Sequence, residues 1–200
     1  MLGNLFLAAK FHSEQLIHER RQKEFKLKAV FGQGVIMSSE STLDNDSGKP
    51  EKIAIGKASW VRGCLLVYNA EGQIIIGENT FIGLNTRIWS AKKITIGNNV
   101  LISHDVNIHD NNSHPLNSSK RKEHYQKIIL GNSLPDNYDL RAEEIIIEDD
   151  VWIGFNVSIQ KGVVIGKGAI VGANMIVTKN VPPYAIIVSD TKTRIINYSD

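Results

Sequence analysis

Cysteine is nearly missing from this sequence: Cys64 is the one example in 200 residues. That excludes an internal disulfide framework and a zinc cluster built on cysteines, and it fits a reducing compartment. An excess of one charge is missing too. Lys+Arg 23 against Asp+Glu 21 leaves a formal charge of +2, without the concentrated basic field of a nucleic-acid binder. No nucleic-acid partner is expected. Long hydrophobic runs are also absent. The longest N-terminal apolar stretch, Leu5–Phe11, is broken by Lys10 and falls far short of the roughly 20 residues that cross a bilayer. A cytoplasmic protein is expected, with any membrane contact peripheral. A chain 42% hydrophobic and 22% charged is of ordinary globular composition, which excludes global disorder.

Ile and Val are plentiful, and they recur with a period. From Ile147 one of them returns every six residues: Ile147, Ile153, Ile159, Ile165, Val171, Val177. The spacing also holds for Ile96, Ile102, Ile108, for Ile76, Ile82, Ile88, and for Ile55, Val61, Val67. Ile and Val number 41 of 200 residues, yet they fill every one of these positions, so chance is a poor account. Two places earlier stand apolar or small residues such as Ile53, Ser59, Leu65, Val151, Val157 and Ala169. Two inward residues flanking an outward one describe a very short β-strand, since side chains alternate faces with period two. Glycine often follows the repeated aliphatic, as at Gly56, Gly77, Gly97 and Gly154, and glycine accepts tight turns. Three such units wind into an 18-residue triangular coil. Coils then stack as parallel strands about 4.8 Å apart.

The pattern resembles the hexapeptide-repeat proteins with a left-handed parallel β-helix, most specifically in the run "IIIEDDVWIGFNVSIQKGVVIGKGAIVGANMIVTKNVPP". The resemblance supplies the handedness, which spacing cannot. The expected fold is all-β: about five coils over residues 51–182, an N-terminal helical segment and linker over 1–50, and a tail over 183–200. In the first segment, Leu2–Val30 is rich in helix formers and could cover an open end of the β-helix; Ser38–Pro50 reads as a linker. Small breaks follow Val67 and Ile88. The large one runs from Ile108 to Ile147, so residues 110–144 leave the helix as a polar loop holding His114 and His124. Long loops on rigid scaffolds often carry function.

His114 lies in that loop in Asp110-Asn111-Asn112-Ser113-His114-Pro115-Leu116. Histidine, with an unperturbed pKa of about 6.5, suits removal of an alcohol proton near neutral pH. Asp110, or another carboxylate, is expected to orient its ring, and Asn112 is a candidate acceptor contact. The run "SHPLN" resembles the histidine–proline loop of the sugar O-acetyltransferases, the maltose and galactoside enzymes and polysaccharide-modifying relatives. That resemblance implies attack of a saccharide hydroxyl on acetyl-CoA with His114 as base, in a homotrimer whose acceptor site lies between neighbouring β-helices. Asn85 in "FIGLNTRIW" falls at the place of the family's acceptor and oxyanion asparagine; as a residue it also suits an ordinary left-handed corner. The implied acetyl-CoA contacts are Phe155 and Ala173 along the pantetheine arm, then Thr178, Lys179 and Arg194. Trp152 in "VWIG" is outward-facing and lines a groove or packs on a neighbouring subunit. The tail departs from the family pattern: Ser189-Asp190-Thr191-Lys192-Thr193 replaces its Gly-x-Pro-Ala motif, and Asn197 replaces a basic residue.

Two other readings compete. His104 and His109 in "ISHDVNIHD" resemble zinc ligands of the gamma-class carbonic anhydrases, but a catalytic zinc needs three protein ligands and residues 53–94 offer no histidine. No metal is expected. A non-catalytic β-helix serving as an assembly surface is the third class, since fold does not fix function.

Overall fold

The computed structural model describes residues 16–17, 19–68, 71–131 and 138–189. A helix, α1, occupies residues 19–28, and the chain then winds. The first coil is β1 (Val30–Phe31), β2 (Ile36–Met37) and β3 (Thr42–Asn45); the second is β4 (Ile53–Ile55), β5 (Trp60–Val61) and β6 (Cys64–Val67). The third is β7 (Ile74–Ile76), β8 (Phe81–Ile82) and β9 (Arg87–Ser90), and the fourth β10 (Ile94–Ile96), β11 (Leu101–Ile102) and β12 (Asn107–His109). An excursion containing helix α2 (Ser118–Ile129) follows. The fifth coil is β13 (Ile145–Ile147), β14 (Trp152–Ile153) and β15 (Ser158–Ile159); the sixth is β16 (Val164–Ile165), β17 (Ile170–Val171) and β18 (Ile176–Val177); β19 (Ile186–Ile187) begins a seventh. Corresponding strands pair in parallel, coil on coil, into three sheets. We call these the first, second and third faces of a left-handed parallel β-helix.

Every one of the fifteen repeated Ile and Val positions points inward and is at most 3% exposed. Polar residues in the inner columns are satisfied there: Ser59 Oγ donates to Gly77 O at 2.8 Å, Thr80 Oγ1 to Gly97 O at 3.0 Å, and Thr86 Oγ1 to Ser103 O at 2.8 Å. The glycines directly after the repeated aliphatic are required by stacking rather than by turn conformation. A Cβ on Gly77 would sit 2.5 Å from Gly97 O. Positive φ belongs instead to residues two places on, including Asn79, Asn85 and Asn99, whose short polar side chains tolerate the left-handed region.

The stack is longer than the Ile/Val spacing indicates, with six full coils among the described residues. Residues 38–50, read from sequence as a linker, contain β3, and 30–45 make a complete coil. Its inner residues keep the period of six but are Phe31, Met37 and Leu43, so an Ile/Val search passes over them. Likewise the tail read as starting at 183 contributes β19, paired with β17.

Helix α1 closes the open end. Phe25 is buried in the core. Gln22 Nε2 donates to Met37 O at 2.9 Å, Arg21 donates to Ser39 O and, at 2.6 Å, to Ser41 O, and Lys28 Nζ reaches Leu43 O at 3.0 Å. Carbonyls that another coil would otherwise receive are thus taken by side chains of the helix.

Candidate active site

The fourth coil ends at β12, and Asp110 follows it into the interior. Its carboxylate accepts from Ser90 Oγ at 2.6 Å, Ala91 N at 2.8 Å, Lys92 N at 2.9 Å and Asn111 Nδ2 at 2.9 Å. These bonds close the widened corner after β9, which is why the repeat stretches between Ile88 and Ile96. Asp110 therefore does not orient His114, contrary to the expectation from sequence: its acceptor capacity goes to the corner below.

The excursion is pinned at its base. Asn112 N donates to Leu140 O at 3.0 Å, Glu143 N to Asp110 O at 2.8 Å, and Lys161 Nζ to Arg141 O at 2.6 Å. Asn112 O also accepts from His114 N at 2.6 Å, so Asn112 shapes the turn that presents the histidine. Tyr68 hydrogen-bonds Ser113 from beneath, and burial pushes its phenol up. The segment read as an irregular loop then forms α2, capped by Asn117 Oδ1, which accepts from Lys120 N at 3.0 Å.

Helix α2 brings His114 its partner. His114 Nδ1 and His124 Nδ1 lie 3.1 Å apart, with the rings nearly perpendicular at 79°. His124 is buried at 4% exposure and meets the edge of Tyr138 at a centroid separation of 4.5 Å. Burial, first, and then the neighbouring His114 and Lys127 hold its pKa below the ordinary histidine value. The inner ring thus favours neutrality and offers a lone pair. The outer ring is exposed and lines a groove of about 380 Å³ with Ser118, Arg121, Lys122 and Tyr125. Sequence reasoning missed His124 and these four lining residues. The Asn117 cap ahead of a helix-forming run was the available signal.

The remaining expected residues sort by corner. Thr178 and Lys179 are exposed on the same corner as His114, two rungs further, or about 10 Å along the axis at roughly 4.8 Å per rung. Asn85, Phe155 and Ala173 stand on the other side of the third face, at the corner between the second and third faces. Asn85 is exposed with φ +58° and hydrogen-bonds Asp105, whose carboxyl is held low first by His104 and then by Asn85. His104 in turn stacks on Phe155 with centroids 5.3 Å apart, and Phe155 O accepts from Asn174 N at 3.0 Å. Within one chain, then, this corner is not brought to His114. Trp152 is half-exposed on the second face, in register with Leu101 and Ile170. Arg194 lies outside the described residues.

His104 and His109 engage different neighbours. His109 stacks on Trp89 with centroids 4.8 Å apart, its buried Nε2 lacks a hydrogen-bond partner, and burial lowers its pKa. Among the described residues no three His, Cys, Asp or Glu side chains gather in a way that could hold a metal ion.

Residues 73–103 and 144–179 match the family described as the hexapeptide repeat of succinyl-transferase. The two matched stretches carry repeats of the third to sixth coils. The chain is 40% identical over 131 residues to polysialic acid O-acetyltransferase of Escherichia coli O1:K1 / APEC, a match covering 65% of this chain and 38% of that one. It is 33% identical over 143 residues to galactoside O-acetyltransferase of Escherichia coli strain K12, covering 71% and 62%. The match thus spans less than two thirds of either relative's length. In fold it is similar to AntD, an N-acyltransferase from Bacillus cereus solved with dTDP and 3-hydroxybutyryl-CoA, with TM-score 0.62 and 20% identity over 83% of this chain and 81% of that one.

Proposed function

We propose that the protein is an acetyl-CoA-dependent O-acetyltransferase acting on a hydroxyl of a saccharide, with His114 as general base. The observation that carries this reading is the contact of His114 Nδ1 with the buried His124 beside an open groove. For His114 Nε2 to accept a proton, Nδ1 must already hold one. His124 Nδ1 can accept that hydrogen bond and so fix both ring and tautomer. The relatives named for O-acetyl transfer to polysialic acid and to galactosides support the chemistry and the acceptor class.

In the reaction, the acceptor hydroxyl gives its proton to His114 Nε2 as its oxygen attacks the acetyl carbonyl of the thioester. The carbon–sulfur bond then breaks, and the imidazolium returns the proton to the departing sulfur, leaving the O-acetyl ester and CoA. The proposed attack is direct, since no motif around Cys64 supports a covalent acyl-enzyme. Thr178 and Lys179 would hold the cofactor on the His114 corner, Lys179 by its charge. Phe155, Ala173 and Asn85 lie on the opposite corner, so one groove can use both sets only if a neighbouring copy supplies the second. A homotrimer with its sites between copies, the assembly that the family resemblance implies, would meet this need.

The test is thioester consumption by the purified chain with acetyl-CoA and a panel of saccharides. His114→Ala is expected to lower turnover by roughly 10²–10⁴-fold, the usual worth of a positioned base. Turnover retained within about tenfold would remove His114 from that role.

A further inference from the structure

Helix α2 presents two stripes of opposite character. Ser118, Arg121, Lys122 and Tyr125 stand at i, i+3, i+4 and i+7, so they share one face, and they line the groove with His114. Glu123, His124 and Lys127 face Tyr138 instead. The helix's one acid is therefore withdrawn from the groove: Glu123 pairs with Lys127 at 3.0 Å and accepts from the Tyr138 hydroxyl at 3.3 Å. Among the described residues no carboxylate lines the groove. On the groove side, Arg121 places one terminal nitrogen on the carbonyls of Pro115 and Leu116, which leaves its other donors for a ligand. Lys122 is exposed and makes no ion pair among the described residues. The Tyr125 ring, 56% exposed, offers a flat apolar face.

We propose that this groove selects an anionic saccharide, one whose carboxylate or phosphate lies close to the hydroxyl presented to His114. Lys122 and Arg121 face the negative group, and Arg121 suits either anion because its fork matches planar or tetrahedral oxygen pairs. Tyr125 packs against the C–H face of the sugar ring. Acetyl-CoA is the other source of negative charge, but its phosphates sit a full pantetheine arm away from the thioester that must meet His114. An anion in the same groove as His114 therefore belongs to the acceptor. The inference rests on the acyl-transfer reading for the fate of the hydroxyl; the binding it describes needs no transfer.

The experiment titrates the full chain with three acidic probes: a glucuronic-acid oligosaccharide, an N-acetylneuraminic-acid oligosaccharide and a sugar phosphate. Each is compared with its neutral counterpart, reduced at the carboxyl or lacking the phosphate. At least one acidic probe is expected to bind roughly tenfold or more tightly than its counterpart, the scale of one charge-assisted contact, and the responding arm identifies the anion. Added salt should weaken that binding. Lys122→Glu should abolish the preference while neutral binding stays within about twofold. Equal binding of acidic and neutral probes, no binding of any acidic probe, or loss of CoA binding in Lys122→Glu would overturn the inference. His114→Ala keeps acidic binding if the groove is as described, whatever becomes of acetyl transfer, so failure of one reading is distinct from failure of the other.

Discussion

The Nδ1 atoms of His114 and His124 face each other at 3.1 Å, and the second ring is buried while the first meets the groove. Two imidazoles so close share one hydrogen, and the buried partner is the natural acceptor. His124→Phe keeps the ring volume and removes the acceptor. Turnover should fall by roughly tenfold to a hundredfold, a part of what a positioned base supplies, with the KM for acetyl-CoA unchanged. His124→Gln, whose amide oxygen can accept, should restore part of the loss. Nitrogen-15 NMR of the imidazoles checks the cause: the His114 Nδ1–H form should dominate in the wild type and in Gln, and decline in Phe. An unchanged tautomer would show His124 to be packing alone.

Acid stability follows from the same ring. His124 and His109 both have pKa values held below the ordinary 6.5, chiefly by burial. Between their folded values and about 6.5 the unfolded chain binds more protons than the folded one, so stability rises with pH there and is lost as pH falls. The lowered carboxyls of Glu40 and Glu143 act only further down, below about 4.5. Denaturant midpoints measured from pH 7 to 5 should therefore decline, and His124→Phe should flatten the decline. An identical slope in the variant would assign the loss to other groups.

Asp110 separates a structural from a catalytic role. Replacement by Ala strips Ser90, Ala91, Lys92 and Asn111 of a buried acceptor. Loss of such a network costs about 2–4 kcal/mol. Urea unfolding should register that loss, while turnover of the folded fraction at low temperature stays within a few-fold. A large drop in turnover with unchanged stability would return Asp110 to the orienting role that its position in sequence suggests.

The contrast between Asp110 and His124 marks how far the sequence could be read. The six-residue return of Ile and Val is a local pattern repeated many times, and each copy landed inside. His114 stood out because its neighbours Ser113 and Pro115 carry a recognisable motif. The partner of each was hidden for a physical reason. Asp110 answers to a corner 18–20 residues upstream, which no spacing within its own coil reveals. His124 sits on a helix whose faces are charged rather than apolar, so it lacks the hydrophobic stripe by which helices are found. The first coil was hidden more simply: Phe31, Met37 and Leu43 fill places that elsewhere hold branched aliphatics. Asn85 suited both a corner and a site in sequence; in the structure it occupies a left-handed corner away from His114.

The helix α1 cap makes a prediction about assembly. The first coil ends in backbone carbonyls with no coil beyond them among the described residues, and such an edge is a template for pairing with another chain. Arg21, Gln22 and Lys28 occupy those carbonyls, while Phe25 anchors the helix in the core. Phe25→Asp cannot bury its charge unpaired and should release the helix. Stability should fall by about 3 kcal/mol or more, the scale for deleting a buried Phe. The freed edge should also drive concentration-dependent growth beyond the wild-type oligomer, visible by light scattering. Arg21→Ala with Gln22→Ala keeps the anchor and frees only part of the edge, so it should show a smaller stability loss and little growth. If Phe25→Asp lost stability without any change in assembly, the side-chain bonds of α1 would be incidental to protecting the edge.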